Sequence, residues 1–115
     1  MAAAPVPALP SGQDVSLIEV LEDTGPGALW LRLRFQAPDI ARDTGQVAHA
    51  DAVADMEALC AAMAVPYVAE RGLSPEKIVI SLSDRPVPFG QADAAATQFF
   101  ELFRIEDGLC IWEAF

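Results

Sequence analysis

Leu29-Trp30-Leu31-Arg32-Leu33-Arg34-Phe35 alternates one residue at a time. Successive side chains of a strand point to opposite faces, so Leu29, Leu31, Leu33 and Phe35 share one face and Trp30, Arg32 and Arg34 the other. That is the pattern of a half-buried strand. Upstream, Val15 to Glu22 is a second strand-like run, and Asp23-Thr24-Gly25-Pro26-Gly27 between the two is dense in turn residues, which predicts a hairpin. Centring the loop pairs residue 22 with 29 and 20 with 31. This register places Ile18 and Val20 on the buried face with Leu31 and Leu33. Glu19 then falls opposite Arg32 outside, flanked by Leu17, Leu21 and Trp30.

Downstream, residues 39–46 read as a loop, followed by a short strand at Val47. A helix begins near Asp51, whose charge complements the first turn. Val53, Met56, Cys60, Met63 and Tyr67 recur at spacings of three and four and draw one apolar stripe, and Gly72 is a natural stop. Pro66 lies inside this span and predicts a kink or a split near Ala64. Residues 77–83 form a strand, residues 84–90 a Pro-rich loop, and residues 93–96 one helical turn. Residues 97–105 and 109–115 then flank Asp107-Gly108, a strong two-residue hairpin signal that pairs Phe103 with Trp112 and Ile105 with Cys110. The order β-β-α-β-β-β predicts an α+β fold, an antiparallel sheet with one long helix packed on one face. Residues 1–13 read as a flexible Pro/Ala-rich tail and residues 14–115 as a single domain.

The 115 residues carry 17 carboxylates against 7 basic side chains, a formal net charge of −10. Nucleic-acid binding draws its affinity from Lys and Arg neutralising phosphates, so this balance argues against it, and an anionic membrane surface would repel the chain. A basic partner or simple solubility fits the charge. Apolar stretches are broken by charge or proline short of the ~18 residues of a membrane span, so no span is expected. Abundant alanine, arginine in place of lysine and the absence of asparagine suggest a bacterial chain from a GC-rich genome. The N-terminus has neither a basic n-region nor an apolar h-region, so it is not an intact signal peptide. It reads equally as the start of a mature exported chain, which would be periplasmic, and as the polyproline-like lead-in of a cytoplasmic one.

Two cysteines are the most informative pair. Cys60 lies on the helix stripe and Cys110 on the strand face of Trp112, so both point toward the helix–sheet interface. In an oxidising compartment a bridge would close a loop of ~50 residues; in a reducing one they are two buried thiols. They form neither a C-x-x-C motif nor a zinc knuckle. His49, Asp51, Asp55 and Glu57 cluster at the helix start, where a divalent metal or small ligand is an alternative to simple dipole complementation. There is no nucleophile elbow, no phosphate loop and no cofactor motif, and Glu101 and Glu113 on adjacent strands are no sign of acid–base work. No catalytic residue is assigned, and enzymatic activity is uncertain. Surface apolar groups are the better lead. The last hairpin is apolar on both faces, and one helix covers one face only. Trp30, Phe100, Ile111 and Phe115 on the other face, with Arg85 and Phe89 on the Pro-rich loop, are therefore the candidate binding residues for an unknown protein partner or for self-association. Alternatively, the tail and loop fold across that face.

Residues 78–90 (Ile-Val-Ile-Ser-Leu-Ser-Asp-Arg-Pro-Val-Pro-Phe-Gly), Thr97-Gln98-Phe99-Phe100 and Cys110-Ile111-Trp112-Glu113 resemble an uncharacterised family of short proteins, a domain of unknown function found in marine alphaproteobacteria. The resemblance covers nearly the whole chain after the tail. It implies an exported, periplasmic chain and, with that, a Cys60–Cys110 disulfide. Some relatives carry an acetolactate-synthase label, but a chain of this length has no room for thiamine-diphosphate machinery. The family brings no catalytic residue to transfer.

Overall fold

The computed structural model describes residues 6–114. It is an α+β fold with a five-stranded, mostly antiparallel sheet and one long helix. The strands are β1 (Ser16–Asp23), β2 (Trp30–Gln36), β3 (Lys77–Ser83), β4 (Gln98–Glu106) and β5 (Leu109–Glu113), and they lie in the sheet in sequence order. Between β2 and β3 come a 3-10 turn at Pro38–Ile40, helix α1 (His49–Leu59), a π-helical segment at Cys60–Ala64 and helix α2 (Val65–Arg71). No strand forms at Val47, whose N–H donates instead to the Asp39 carbonyl, and residues 93–96 form a single turn closed by the Ala96 N–H on the Asp93 carbonyl.

The expected antiparallel sheet needs one correction, because β2 and β3 pair in parallel. The helical connection carries the chain from the end where β2 finishes back to the end where β2 began, so β3 enters there and runs parallel to it. The first hairpin also differs in register. Glu19 pairs with Arg34 and not with Arg32, and Asp23 pairs with Trp30. Asp23 accepts the Gly25 N–H through its side chain at 2.9 Å and the Gly27 N–H bonds to Thr24, which moves the turn one residue later than a centred loop. A bulge between Leu17 and Glu19 then leaves Ile18 unpaired, and Ile18 is exposed instead of joining the core. The second hairpin has the expected pairs, Phe103 with Trp112 and Ile105 with Cys110.

One side of the sheet, here the inner face, presents Leu31, Leu33, Phe35, Ile78, Ile80, Leu82 and Phe103. These share a buried cluster with Ala52, Met56, Leu59, Cys60, Met63 and Ala64 of the helix. Each fully buried side chain of this size contributes roughly 1.5–3 kcal/mol. Pro66 splits the α-helix near Ala64, as expected: α1 gives way to a π-helical turn at Cys60–Ala64 before α2 begins at Val65. It lacks the N–H of an ordinary turn and its ring crowds the carbonyl four residues back, so the helix widens just before it, and the Val65 N–H reaches Cys60, five residues earlier. Gly72, at φ 63°, closes the helix in the left-handed conformation.

Contrary to the expectation from charge and proline spacing, His49–Arg71 is 23 residues long and apolar enough, by length and composition, to cross a membrane. Its packing is that of a core helix, with one side buried against the sheet and a covalent tie to β5. Cys60 and Cys110 form a disulfide with a Cα–Cα distance of 6.2 Å. Residues 6–13, read from composition as part of a flexible tail, lie against the helix: Leu9 enters the core, and Ser11 and Gln13 hydrogen bond to Asp55.

Candidate functional site

The opposite, outer face follows from strand alternation and register. It carries Glu19, Leu21 and Asp23 on β1, Trp30, Arg32 and Arg34 on β2, and Lys77, Val79 and Ser81 on β3. Phe100, Leu102, Arg104 and Glu106 on β4 and Leu109, Ile111 and Glu113 on β5 complete it. Every charged residue among these is paired across or along the strands. Arg32 Nε donates to Asp23 at 2.8 Å, Arg34 pairs with Glu19, Lys77 Nζ meets Glu113 at 2.6 Å, and Arg104 meets Glu106 at 3.0 Å. Hydrogen bonds from the Gly25 N–H and the Arg32 guanidinium hold the Asp23 carboxyl below its ordinary value.

The Pro-rich loop covers part of this face. Val87 is buried, and its carbonyl accepts from the Arg34 guanidinium. Phe89 stands over both arginines, 5.3 Å from Arg32 and 5.7 Å from Arg34, while Trp30 flanks Arg32 from the other side at 5.4 Å. These contacts leave the ring of Phe89 half exposed (50%), alongside Phe100 (47%) and the bulged Ile18 (41%). The three converge on a cleft of about 240 Å³ whose polar lining is Arg34, Ser81, Ser83, Gln91 and Gln98. A second cleft of about 450 Å³ shares Gln98 and Phe100 and extends to Arg32, Val79, Phe99 and His49.

Of the candidates named from sequence, Trp30, Phe89 and Phe100 come together here. Ile111 shares the face, half-buried, opposite Arg104. Arg85 does not join them; it pairs with Asp84 at 3.2 Å at the base of the loop. Phe115 lies outside the described residues. The acidic cluster at the helix start is dispersed. Asp51 is exposed, His49 packs edge-on against Phe99 with ring centroids 4.9 Å apart, and Asp55 faces the interior. Among the described residues no three His, Cys, Asp or Glu side chains are placed to hold a metal ion.

Two carboxylates named from sequence, Asp55 and Glu101, are buried, which the sequence did not suggest. Asp55 is fully buried and accepts hydrogen bonds from the Ser11 N–H at 2.9 Å, the Ser11 hydroxyl and Gln13 Nε2 at 2.7 Å. Glu101 lies on the inner face, opposite Ile80, where it accepts from Trp112 Nε1 at 2.7 Å and stands 3.6 Å from His49 Nε2. That bond holds Trp112 at the sheet edge, half exposed, and not in the core. Glu113, by contrast, is on the outer face, so Glu101 and Glu113 do not form a pair.

Residues 1–115 match the model of one protein family, described as a family of unknown function (DUF6497). No curated protein and no solved structure matches the chain.

Proposed function

The chain belongs to that family of unknown function, and we propose that it is a small non-enzymatic interaction or accessory protein of the periplasm, acting through the outer sheet face and the Pro-rich loop. The observation that carries this reading is the convergence of Ile18, Phe89 and Phe100, three of the large exposed apolar side chains, on one cleft. Scattered single apolar residues are ordinary on a surface; a cluster held by rigid neighbours is the pattern of a contact site. In this reading the helix, inserted in the order β-β-α-β-β-β, covers the inner face alone. It leaves the outer one to the loop and to a partner. The Cys60–Cys110 disulfide supports an oxidising compartment.

A photo-crosslinking residue at position 100, expressed in the native host, tests the contact surface. Crosslinks from position 100 and none from Ala61, on the exposed side of the helix, are expected. Equal labelling from both positions would remove the case for this face.

A further inference from the structure

We infer that the partner of the outer face is a second copy of this chain, an inference that rests on reading that face as the contact surface. The chain as a whole carries −10, so two copies brought together at an arbitrary patch repel. The outer face is the exception. Its four cations, Arg32, Arg34, Lys77 and Arg104, are matched one to one by Asp23, Glu19, Glu113 and Glu106. Of the remaining charges, Glu76 borders this face, accepting from Trp30 Nε1 at 3.2 Å, and Arg85 pairs with Asp84 at the base of the loop, so most of the excess charge is carried off this face. A basic partner would find no unpaired carboxylate among these outer-face residues, and an acidic one no unpaired cation. A surface with the same neutral pairing and the same exposed apolar groups meets neither objection, and a two-fold contact places each patch on its own copy.

The area is sufficient for a weak dimer. Five strands of about seven residues span roughly 24 Å by 23 Å, or about 550 Å² for each copy, part of it capped by the Pro-rich loop, whose own exposed surface at Phe89 then joins the contact. About 1,100 Å² in total clears the lower bound of a specific interface and falls below the usual size of a tight one. Face-to-face packing of two sheets is a familiar arrangement, and Phe89, Phe100, Ile18 and Leu109 supply protruding apolar side chains to interdigitate. Because the paired charges stay paired, salt should not weaken this contact. It should strengthen it by screening the repulsion between the acidic remainders.

Sedimentation velocity from low micromolar to submillimolar protein reads this directly. The weight-average mass of the wild type should rise from 12.3 kDa toward twice that value, further in added salt. Phe100→Glu and, separately, Phe89→Glu should weaken association at least tenfold with unchanged thermal midpoints, while Glu70→Ala on the helix should behave as wild type. A wild type that stays monomeric throughout, or outer-face variants that associate as well as the wild type, would overturn the inference. A monomer whose position 100 crosslinks to a different protein overturns self-association and leaves the contact surface standing. A monomer with no crosslinks overturns both.

Discussion

Gln13 Nε2 donates a 2.7 Å hydrogen bond to the carboxylate of Asp55, across 42 positions of sequence and in a site closed to solvent. Together with the two bonds from Ser11, it fastens residues 9–13 across the buried side of α1 and lets Leu9 enter the core. Replacing Asp55 with Ala deletes the acceptor of all three. A hydrogen bond contributes about 0.5–1.5 kcal/mol net, and the freed donors regain water once the segment lifts, so a net loss of about 2–3 kcal/mol is expected. Hydrogen exchange should show protection lost first at residues 11–13, with β2 and β3 still protected. Uniform loss across the sheet would mean that Asp55 holds the core and not the segment.

The Cys60–Cys110 bridge ties the π-helical segment to an edge strand that has only one neighbour. Closing a loop of 50 residues restricts the unfolded chain, and the chain-entropy estimate is about 4 kcal/mol. Reduction, or the Cys110→Ser variant, should lower the urea midpoint accordingly and expose β5 to exchange before the rest of the sheet. The unreduced protein should also be two daltons lighter than the reduced one. Titration of two free thiols in protein isolated from its native host would refute both the bridge and the periplasmic assignment.

What the sequence made legible was whatever local geometry dictates. The β4–β5 register follows from a two-residue turn in which Asp107 and Gly108 both take positive φ, 53° and 76°, leaving no freedom for slippage. The six-residue β1–β2 loop has no such constraint. Its register is set by the Asx turn at Asp23 and the bulge at Ile18, neither of which alternation reveals. The parallel β2–β3 pair depends on where a forty-residue excursion returns, a tertiary fact. Asp55 did leave a signal: Ala52, Asp55, Met56 and Leu59 share one helical face, so an acid stood on the apolar side, but its position beside an acidic first turn suggested dipole complementation instead. At the candidate site the same division holds. Trp30 and Phe100 were placed by strand alternation, whereas the fold of the loop decided that Phe89 would reach the sheet and Arg85 would not.

Gly45 is confined by its surroundings. A Cβ there would lie 2.2 Å from the Asp39 carbonyl oxygen and 2.5 Å from that of Ala41, both backbone atoms with nowhere to move cheaply. The Gly45 N–H also donates to Ala41, so the loop cannot swing away without losing that bond. Gly45→Ala should cost about 1–3 kcal/mol, the usual range for overpacking, read as a lower thermal midpoint with the disulfide intact. Gly27→Ala offers a contrast, since its surroundings are open and the cost there comes from a φ of 96° alone. Equal and negligible effects of both would contradict the close approach at residue 45.

Asp84 should govern part of the acid stability. Its carboxylate accepts the Thr97 N–H at 2.8 Å and the Arg85 guanidinium at 3.2 Å, while its own N–H donates to the Thr97 carbonyl, so it clasps the two ends of the segment that contains the Pro-rich loop. Burial alone would raise its pKa, but the bonds from Arg85 and Thr97 outweigh this and hold it below the ordinary 3.8. With the folded value lower than the unfolded one, the unfolded chain binds more protons in the interval between them. The stabilisation is therefore complete above the unfolded value and is lost as pH falls through the folded one. Asp23, lowered in the same direction, adds to the same acid loss. Asp84→Asn keeps an acceptor for Thr97 but removes the charge, so it should cost about 1–2 kcal/mol at neutral pH. The gap to wild type should close as both are titrated below about pH 4. Urea unfolding across that range measures this. A constant gap down to the lowest pH would show that the Asp84 charge contributes nothing and that shape alone holds the loop.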